Sequence, residues 1–472
     1  MPETITISFS QIANQLTTHF NNLQDERFHQ DPTNLDNLTH ILPKATYGSK
    51  FISNLYPRSI LYDYANGTGA LDPFMFFEPN PIESLNLNSF QRIQTSPELS
   101  VNAYQTNLNN GINKRSKKLN EQRTDFWSDF SKVTYKPSCI IKHPEYNYDL
   151  QSKKGISKNI NTNLFLGHQL GIDSFHNVEE FENSVDDVIR KMFEDSNNIN
   201  QINVVVELDS AWSGVCSESV KYIVDDQLNG KGGKVLVWSL QNDGNYVSGL
   251  NNVGKLDRIR KLIDLGNAEY GGFVTLNLNE VKGDNLWEKT GYLSIPFYFF
   301  NMISDSDISE VLYKLTDGGQ RKFINEIKTL KDNETLNMGC KNIFTLNNSN
   351  SSEHIFAKSV VSAPDIDNEK LSQFDEFNKI IEKGTSKHYL QNLKAKDKFM
   401  YIDSLPTSLE NSSIMASSLG VTSSIRDDFK NMSNFVSRYC HSNEREDLKD
   451  NLDNLYESYT FGFEFSDEED DD

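Results

Sequence analysis

Alternating apolar and polar residues over Thr4–Phe9, then apolar positions Ile12, Leu16, Phe20 and Leu23 at spacings of four, four and three, predict a strand feeding a helix from Gln11 to about Leu23. Ser59–Tyr64 predicts a second strand, stopped by the turn Asn66-Gly67-Thr68-Gly69. Between them, residues 25–50 are polar with Pro32 and Pro43 and predict a surface insertion. Residues 102–125, rich in Asn, Lys and Gln, predict a mobile connection before apolar patterning restarts at Phe126-Trp127. From Val178 a helical stripe runs through Phe181, Val185, Val188, Ile189, Met192 and Phe193. A strand Ile202–Leu208 follows, then the loop Asp209–Gly214, a helix from about Val215 to Leu228, a turn at Gly230–Gly233 and a strand Val235–Leu240. Strand, helix, strand with short connections predicts a βαβ unit, and so a Rossmann-type parallel sheet flanked by helices.

Beyond residue 300 the pattern is less regular. Helices are predicted at Ile308–Leu315 and Lys370–Glu382, separated by the polar loop Asn347–Ser352, and two more within Ser424–Tyr459. There Leu448, Leu452, Leu455 and Tyr459 form a core-facing stripe. The expected organisation is an α/β domain over residues 1–300, an α+β second domain over 301–460 and a disordered acidic tail over 461–472.

Composition narrows the function. Hydrophobic residues at 37% and aromatics at 11% can build a sizeable core. Lys and Arg number 46 against 67 Asp and Glu, and the net charge of −21 excludes nucleic acid as the main ligand, because phosphate-backbone binders carry a basic face. Apolar runs such as Val204–Val206 and Ile295–Phe300 fall far short of the ~20 residues of a membrane span. Cys139, Cys216, Cys340 and Cys440 have no short paired spacing, which predicts free thiols in a reducing compartment, and the histidines show no metal-ligand pairing. Glu3, with no basic residue before Arg27, is wrong for a cleaved presequence.

Ligands of open parallel sheets bind outside the C-terminal strand ends, so the turns Ser10–Gln15, Ala65–Gly69 and Asp209–Gly214 matter most. The candidate binding residues are Gln11, Asn14, Gln15, Asp63, Gly67, Thr68, Ser213 and Gly214. Each also has a plainer reading: Gln11, Asn14 and Gln15 as a helix start, Gly67-Thr68 as a turn, Ser213-Gly214 as a helix N-terminus. No set of nucleophile, base and orienter is legible.

Thr4–Phe20, with Ser10-Gln11-Ile12-Ala13-Asn14-Gln15 matching a glycine-glutamine-x-glycine-asparagine-glutamine turn, resembles the tubulin superfamily. So do Tyr56-Pro57-Arg58 through Gly67-Thr68, and the order of helix, strand, loop and helix that follows Asp186–Lys191. Adding Thr124–Phe130, the acidic residue before Trp212-Ser213-Gly214, and Phe356–Val361, the chain resembles the Misato family, tubulin-like proteins of eukaryotes including fungi. The resemblance implies a tubulin-like fold and a role in partitioning mitochondria and inheriting mitochondrial DNA. It further implies residence at the mitochondrial periphery and in the cytoplasm, with protein partners on the mitochondrial surface or the cytoskeleton.

The departures from that family decide the expected chemistry. Tubulins cradle GTP phosphates with glycine-rich turns, since backbone N–H groups must approach the anion closely. Here Ser10 and Ala13 replace glycines, Asp209 is expected to place a negative charge beside the phosphates, and Trp212 is bulky. Ala65 stands where an acid helps to hold magnesium, although Asp63 matches, and no hydrolysis loop is found. Leu256–Leu262 is similar to a tubulin helix sequence but out of order, and is taken as chance. The expectation is a vestigial pocket: no cofactor or GTP bound only weakly, no catalytic residue, no enzyme. The alternatives are a GTP-binding switch or filament-forming GTPase at mitochondria, and an unrelated α/β small-molecule enzyme.

The tail yields the first test. A run of like charges repels itself and buries nothing, so deleting Ser466–Asp472 is expected to leave the melting temperature unchanged. A drop of several degrees in thermal unfolding would show that the tail packs.

Overall fold

The computed structural model describes residues 2–45, 53–71, 99–110, 119–160, 163–241, 250–267, 270–304, 306–340, 343–344, 354–374 and 389–460. Strands β1 (Glu3–Phe9), β4 (Ser59–Tyr64), β5 (Ile140–His143), β8 (Ile199–Glu207), β9 (Val235–Gln241), β10 (Gly272–Asn277) and β11 (Phe323–Ile324) form a seven-stranded parallel sheet in the order β11-β10-β9-β8-β1-β4-β5. The hairpins β2 (Ile41–Ala45) with β3 (Ser53–Pro57), and β6 (Tyr146–Asp149) with β7 (Lys154–Ser157), stand apart from it. β1, β4 and β9 are buried along their whole length, as strands covered on both faces must be. From β1 the chain adds β4 and β5 on one side and returns to β8, β9 and β10 on the other. The switch point therefore lies at the end of β1, between the ends of β4 and β8.

The helices are α1 (Gln11–Gln30), α2 (Ala103–Asn109), α3 (His168–Asn177), α4 (Glu179–Ser184), α5 (Arg190–Glu194), α6 (Trp212–Tyr222), α7 (Asn252–Asn267), α8 (Leu286–Asn301), α9 (Ile308–Leu315), α10 (Asn368–Leu371), α11 (Arg426–Tyr439) and α12 (Arg445–Ser458). A second, mixed sheet has the strands β12 (Glu326–Lys331), β13 (Glu334–Asn337), β14 (Ile355–Ser362), β15 (Tyr389–Lys394) and β16 (Ile414–Thr422), in the order β13-β12-β16-β14-β15. The α8 helix is buried on every side from Thr290 to Asn301 and packs on α1 as well as on β12, β14 and β16, so it joins the two layers. Its Phe297 ring lies 5.0 Å from Phe20 and 5.0 Å from Trp238. One continuous hydrophobic core runs through both layers.

Several sequence expectations change. The insertion expected over 25–50 is in large part regular: α1 continues to Gln30, and β2 pairs with β3, while residues 46–50 lie outside the described set. The apolar rhythm stops at Leu23 because the buried residues that follow are Gln24 and Arg27, and Arg27 Nε donates to Asp397 at 2.9 Å. No local pattern could announce a partner 370 positions away. Within 102–125, α2 is capped by Asn102 and buries Tyr104 against Leu119, Phe130 and Trp287, and 111–118 lie outside the described residues. The helix predicted at Val215–Leu228 begins at Trp212 and changes to a wider π turn over Ile223–Gln227, and a similar turn, Val185–Ile189, interrupts the stripe after Val178. The expected boundary at 300 falls inside α8. The chain passes between sheets at Asn325, whose Nδ2 donates to Thr422 and Ser424 at 2.9 Å each. Of the helix predicted at Lys370–Glu382, Lys370 and Leu371 belong to α10, which begins at Asn368, and 375–382 lie outside the described residues, as do Asn347–Ser352 and the tail 461–472. The stripe at Leu448, Leu452 and Tyr459 does face the core, and the Tyr459 hydroxyl accepts from Phe323 N at 2.9 Å.

Because α8 joins both layers, Phe297→Ala is expected to destabilise the chain by about 3–5 kcal/mol. Denaturant unfolding measures it, and a loss below about 1 kcal/mol would mean that the seating of α8 on α1 and β9 does not depend on this contact.

Candidate functional site

Ser10 ends β1 with φ 111° and ψ 165°, a conformation glycine adopts freely and serine only under strain. Its Oγ accepts from Ala13 N at 3.2 Å and caps α1. The first turn of α1 is thereby aimed at the end of β4. Asn14 Nδ2 donates to Tyr62 O at 3.0 Å and to Asp63 Oδ2 at 3.1 Å, while its Oδ1 accepts from Ser8 at 2.5 Å. Gln11 Nε2 donates to Gly67 O at 2.6 Å, and its Oε1 accepts from Trp127 N at 3.1 Å. Asp63 also receives the Trp127 indole N–H at 2.7 Å and Tyr64 N at 2.8 Å. Burial pushes the Asp63 carboxyl up to about 6, and the Trp127, Tyr64 and Asn14 donors hold it from rising further. Gly67 is required, since a Cβ there would stand 2.0 Å from Asp63 Oδ1. Thr68 O accepts from Ser128 Oγ at 2.8 Å and its Oγ1 from Lys142 Nζ at 3.1 Å. Gln15 Nε2 donates to Asp125 O at 3.2 Å.

The β6–β7 hairpin covers the same strand end. Ala65 N donates to Tyr146 O at 2.9 Å, and the Asn66 side chain bonds both backbone groups of Tyr148, at 2.5 and 3.1 Å. The Tyr148 ring stacks on Tyr64 at 5.9 Å and meets Phe126 edge-on. Phe165 and Trp212 close the cluster beside Tyr64, and Trp212 is packed in it with no exposed surface.

On the β8 side the sequence expectations need correction. Asp209 does not present a free charge, because it is ion-paired with Arg258 of α7. Arg258 also donates to Gln241 Oε1 at 2.7 Å and Ile343 O at 3.1 Å. The Leu256–Leu262 stretch therefore carries a residue of this site, and the signal was a basic residue set among the apolar positions Leu256, Ile259 and Leu262. Glu207 is buried, and that burial, with Asp209 nearby, pushes its carboxyl up to about 7. Ser213 and Gly214 do not join Gln11, Asn14 and Asp63. Gly214 lies in a close crossing of α6 and α3, where a Cβ would meet His168 O at 2.2 Å, and a Cβ on the facing Gly171 would meet Ala211 O at 1.9 Å. Ser213 Oγ donates to Ser210 O at 2.9 Å and stands 3.2 Å from His168 Nδ1, whose Nε2 faces Asp264 Oδ2 at 3.1 Å. This serine, histidine and aspartate row was not legible in sequence. Its serine is fully buried with its proton committed to Ser210, so the row clasps α3, α6 and α7 together.

A nucleoside triphosphate does not fit the residues present. Gln11, Asn14 and Asp63 are bonded to one another's surroundings, and Trp127, Phe126 and Tyr148 fill the space beside them. At the start of α6, Ser213 N and Gly214 N donate to Ser210 O and Ala211 O at 3.3 and 3.0 Å, and Ala211 N to Phe165 O at 3.0 Å. Asp63 and Glu207 flank Ser10 where an anion would lie.

Comparison with known proteins is consistent with this framework. A model of the tubulin domain matches residues 116–297, and one of the Misato segment II tubulin-like domain matches residues 2–121. The chain is similar to Protein DML1 of Debaryomyces hansenii, 26% identical over 99% of both chains. It is likewise similar to Protein DML1 of Candida albicans, 23% identical over 99% of this chain and 100% of the relative, and of Kluyveromyces lactis, 24% over 100% and 99%.

The raised carboxyls give a pH prediction. A carboxyl held above its unfolded value adds protons to the native state, so its contribution is full at low pH and is lost as pH rises through about 6 for Asp63 and about 7 for Glu207. The melting temperature is expected to carry this loss between about pH 4 and pH 7, and Glu207→Gln to lose less over that interval than the parent chain. Parallel slopes would mean that Glu207 is not desolvated in the folded protein.

Proposed function

We propose that this chain, which belongs to the Misato family of tubulin-like proteins, is a non-catalytic interaction protein that partitions mitochondria and secures inheritance of mitochondrial DNA. The observation that carries the non-catalytic part is the network at the β4 end, in which Gln11, Asn14, Asp63 and Trp127 bond to one another and to nearby backbone. A tubulin-type GTPase needs those groups turned toward phosphate and magnesium, and here they are committed elsewhere. The mitochondrial part is supported by the family resemblance. The partners are proteins of the mitochondrial surface or the cytoskeleton, met at the mitochondrial periphery and in the cytoplasm. The net charge of −21 suits protein surfaces and disfavours direct contact with DNA, so an effect on mitochondrial DNA would come through organelle partitioning. An unrelated α/β enzyme has lost its ground, since both matching domain models are of the tubulin type.

The test is depletion of the protein with imaging of mitochondria and their DNA through division, paired with protease treatment of intact mitochondria carrying the tagged chain. Unequal delivery of mitochondria, followed by loss of their DNA, is expected, with the chain digested alongside outer-face markers. Normal delivery would overturn the function, and full protection of the chain would overturn the placement.

A further inference from the structure

Two of the turns that the tubulin resemblance assigns to phosphate binding, Ser10–Gln15 and Ala65–Gly69, meet beside the end of β1, and Tyr148 of the β6–β7 hairpin packs next to them. Its ring is 3% exposed, and it stacks on Tyr64, which extends from β4. Burial, and after it the carboxylates of Glu207, Asp63 and Asp125, push the Tyr148 hydroxyl well above its ordinary pKa. It has no hydrogen-bond partner among the described residues, although a buried hydroxyl normally finds one. The residue is held by its backbone, which the Asn66 side chain grips at 2.5 and 3.1 Å, and by the ion pair between Lys153 at the hairpin tip and Asp125 at 3.0 Å. Ala65 N and the Asn66 side chain, in the turn after β4, are thus spent on the hairpin.

We infer that the β6–β7 hairpin, through the Tyr148 ring, is the built-in occupant of the crevice where a tubulin-like fold holds its nucleotide phosphates, so that the fold completes itself with its own phenol in place of a bound anion. This rests on the non-nucleotide reading above and adds to it a specific plug. Three physical arguments carry it. A buried aromatic ring packed beside the strand ends that carry Asp63 and Glu207 excludes water and favours the neutral forms of these carboxyls, whereas a phosphate there would repel their ionised forms. The hydroxyl is tolerated rather than used, because the anchoring is made by backbone and ring faces. Removing the ring should leave a cavity of phenol shape, lined by Tyr64 and Phe126, and an apolar-walled cavity of that kind takes up a small aromatic molecule.

The experiment uses the purified full chain and its Tyr148→Phe, Tyr148→Leu and Tyr148→Ala variants, each followed by thermal unfolding alone, with millimolar phenol, and with GTP and magnesium. Tyr148→Phe is expected to melt at or above the parent temperature, since it deletes an unpaired polar atom and keeps the ring. Tyr148→Leu and then Tyr148→Ala are expected to melt progressively lower, by several degrees in the last, and phenol is expected to raise Tyr148→Ala while leaving the parent unmoved. If Tyr148→Ala does not fold, the order of the Phe, parent and Leu proteins carries the test. A flat series, or a folded Tyr148→Ala that ignores phenol, would overturn the plug and leave the non-nucleotide reading standing. A rise in the parent's melting temperature with GTP and magnesium would overturn that reading and the plug together. A rise with GTP in Tyr148→Ala alone would support the plug, because it would show the ring and the phosphates competing for one place.

Discussion

Burial of carboxyl groups at the ends of adjacent parallel strands is the constraint around which this molecule is organised. Asp63 and Glu207 flank the end of β1, and Asp209 follows two residues on. Each must be paired, hydrogen-bonded or neutral in a low-dielectric interior. Asp209 takes Arg258 from α7, and Asp63 takes donors from α1, from its own strand and from the indole of Trp127. Glu207 is pushed toward its neutral form, to about 7, by its burial and by Asp209 beside it. The elements that reach the crevice, namely the first turn of α1, the segment around Trp127, the hairpin and α7, are the ones that supply these partners or exclude water from them.

The same residue types that build an anion cradle elsewhere serve packing here. At Ser10 the backbone keeps the left-handed geometry that suits glycine while carrying a serine that caps α1. Gly67 makes room for the Asp63 carboxylate rather than for a phosphate, and Gly214 with Gly171 lets α6 and α3 touch backbone to backbone. Once α3 lies across α6, the first-turn N–H groups of α6 are bonded to the chain itself, which removes the strongest remaining attraction for an anion.

The segment around Trp127 also ties the crevice to the second layer. While Trp127 faces Asp63, Phe130 O accepts from Asn22 Nδ2 at 2.9 Å, and the same amide donates to Ser404 Oγ at 3.0 Å. Trp287 of α8 donates its indole N–H to Ser404 O at 3.1 Å. One short turn thus serves the β4 end and the 403–407 loop together. That loop also meets Lys132 through Asp403 and Gly291 through Pro406. Such a junction favours one fixed arrangement of the two layers.

Local pattern determined much of this protein. The strand-to-helix start, the βαβ unit through Val235–Leu240, the helix Ile308–Leu315 and the stripe at Leu448, Leu452 and Tyr459 all follow from apolar spacing, because periodicity records which face is buried whatever buries it. The family motifs likewise marked Gln11, Asn14, Asp63, Gly67 and Thr68, which the fold does bring together. Tertiary structure alone decided what those residues face. Arg258 to Asp209, Trp127 to Asp63 and Arg27 to Asp397 join residues 49, 64 and 370 positions apart, and a charge or an indole looks the same in sequence whether it meets solvent, a ligand or another part of the chain. For that reason Ser213 and Gly214 resembled an anion site until α3 was seen to lie on them, and Tyr148 gave no sign of the crevice it fills.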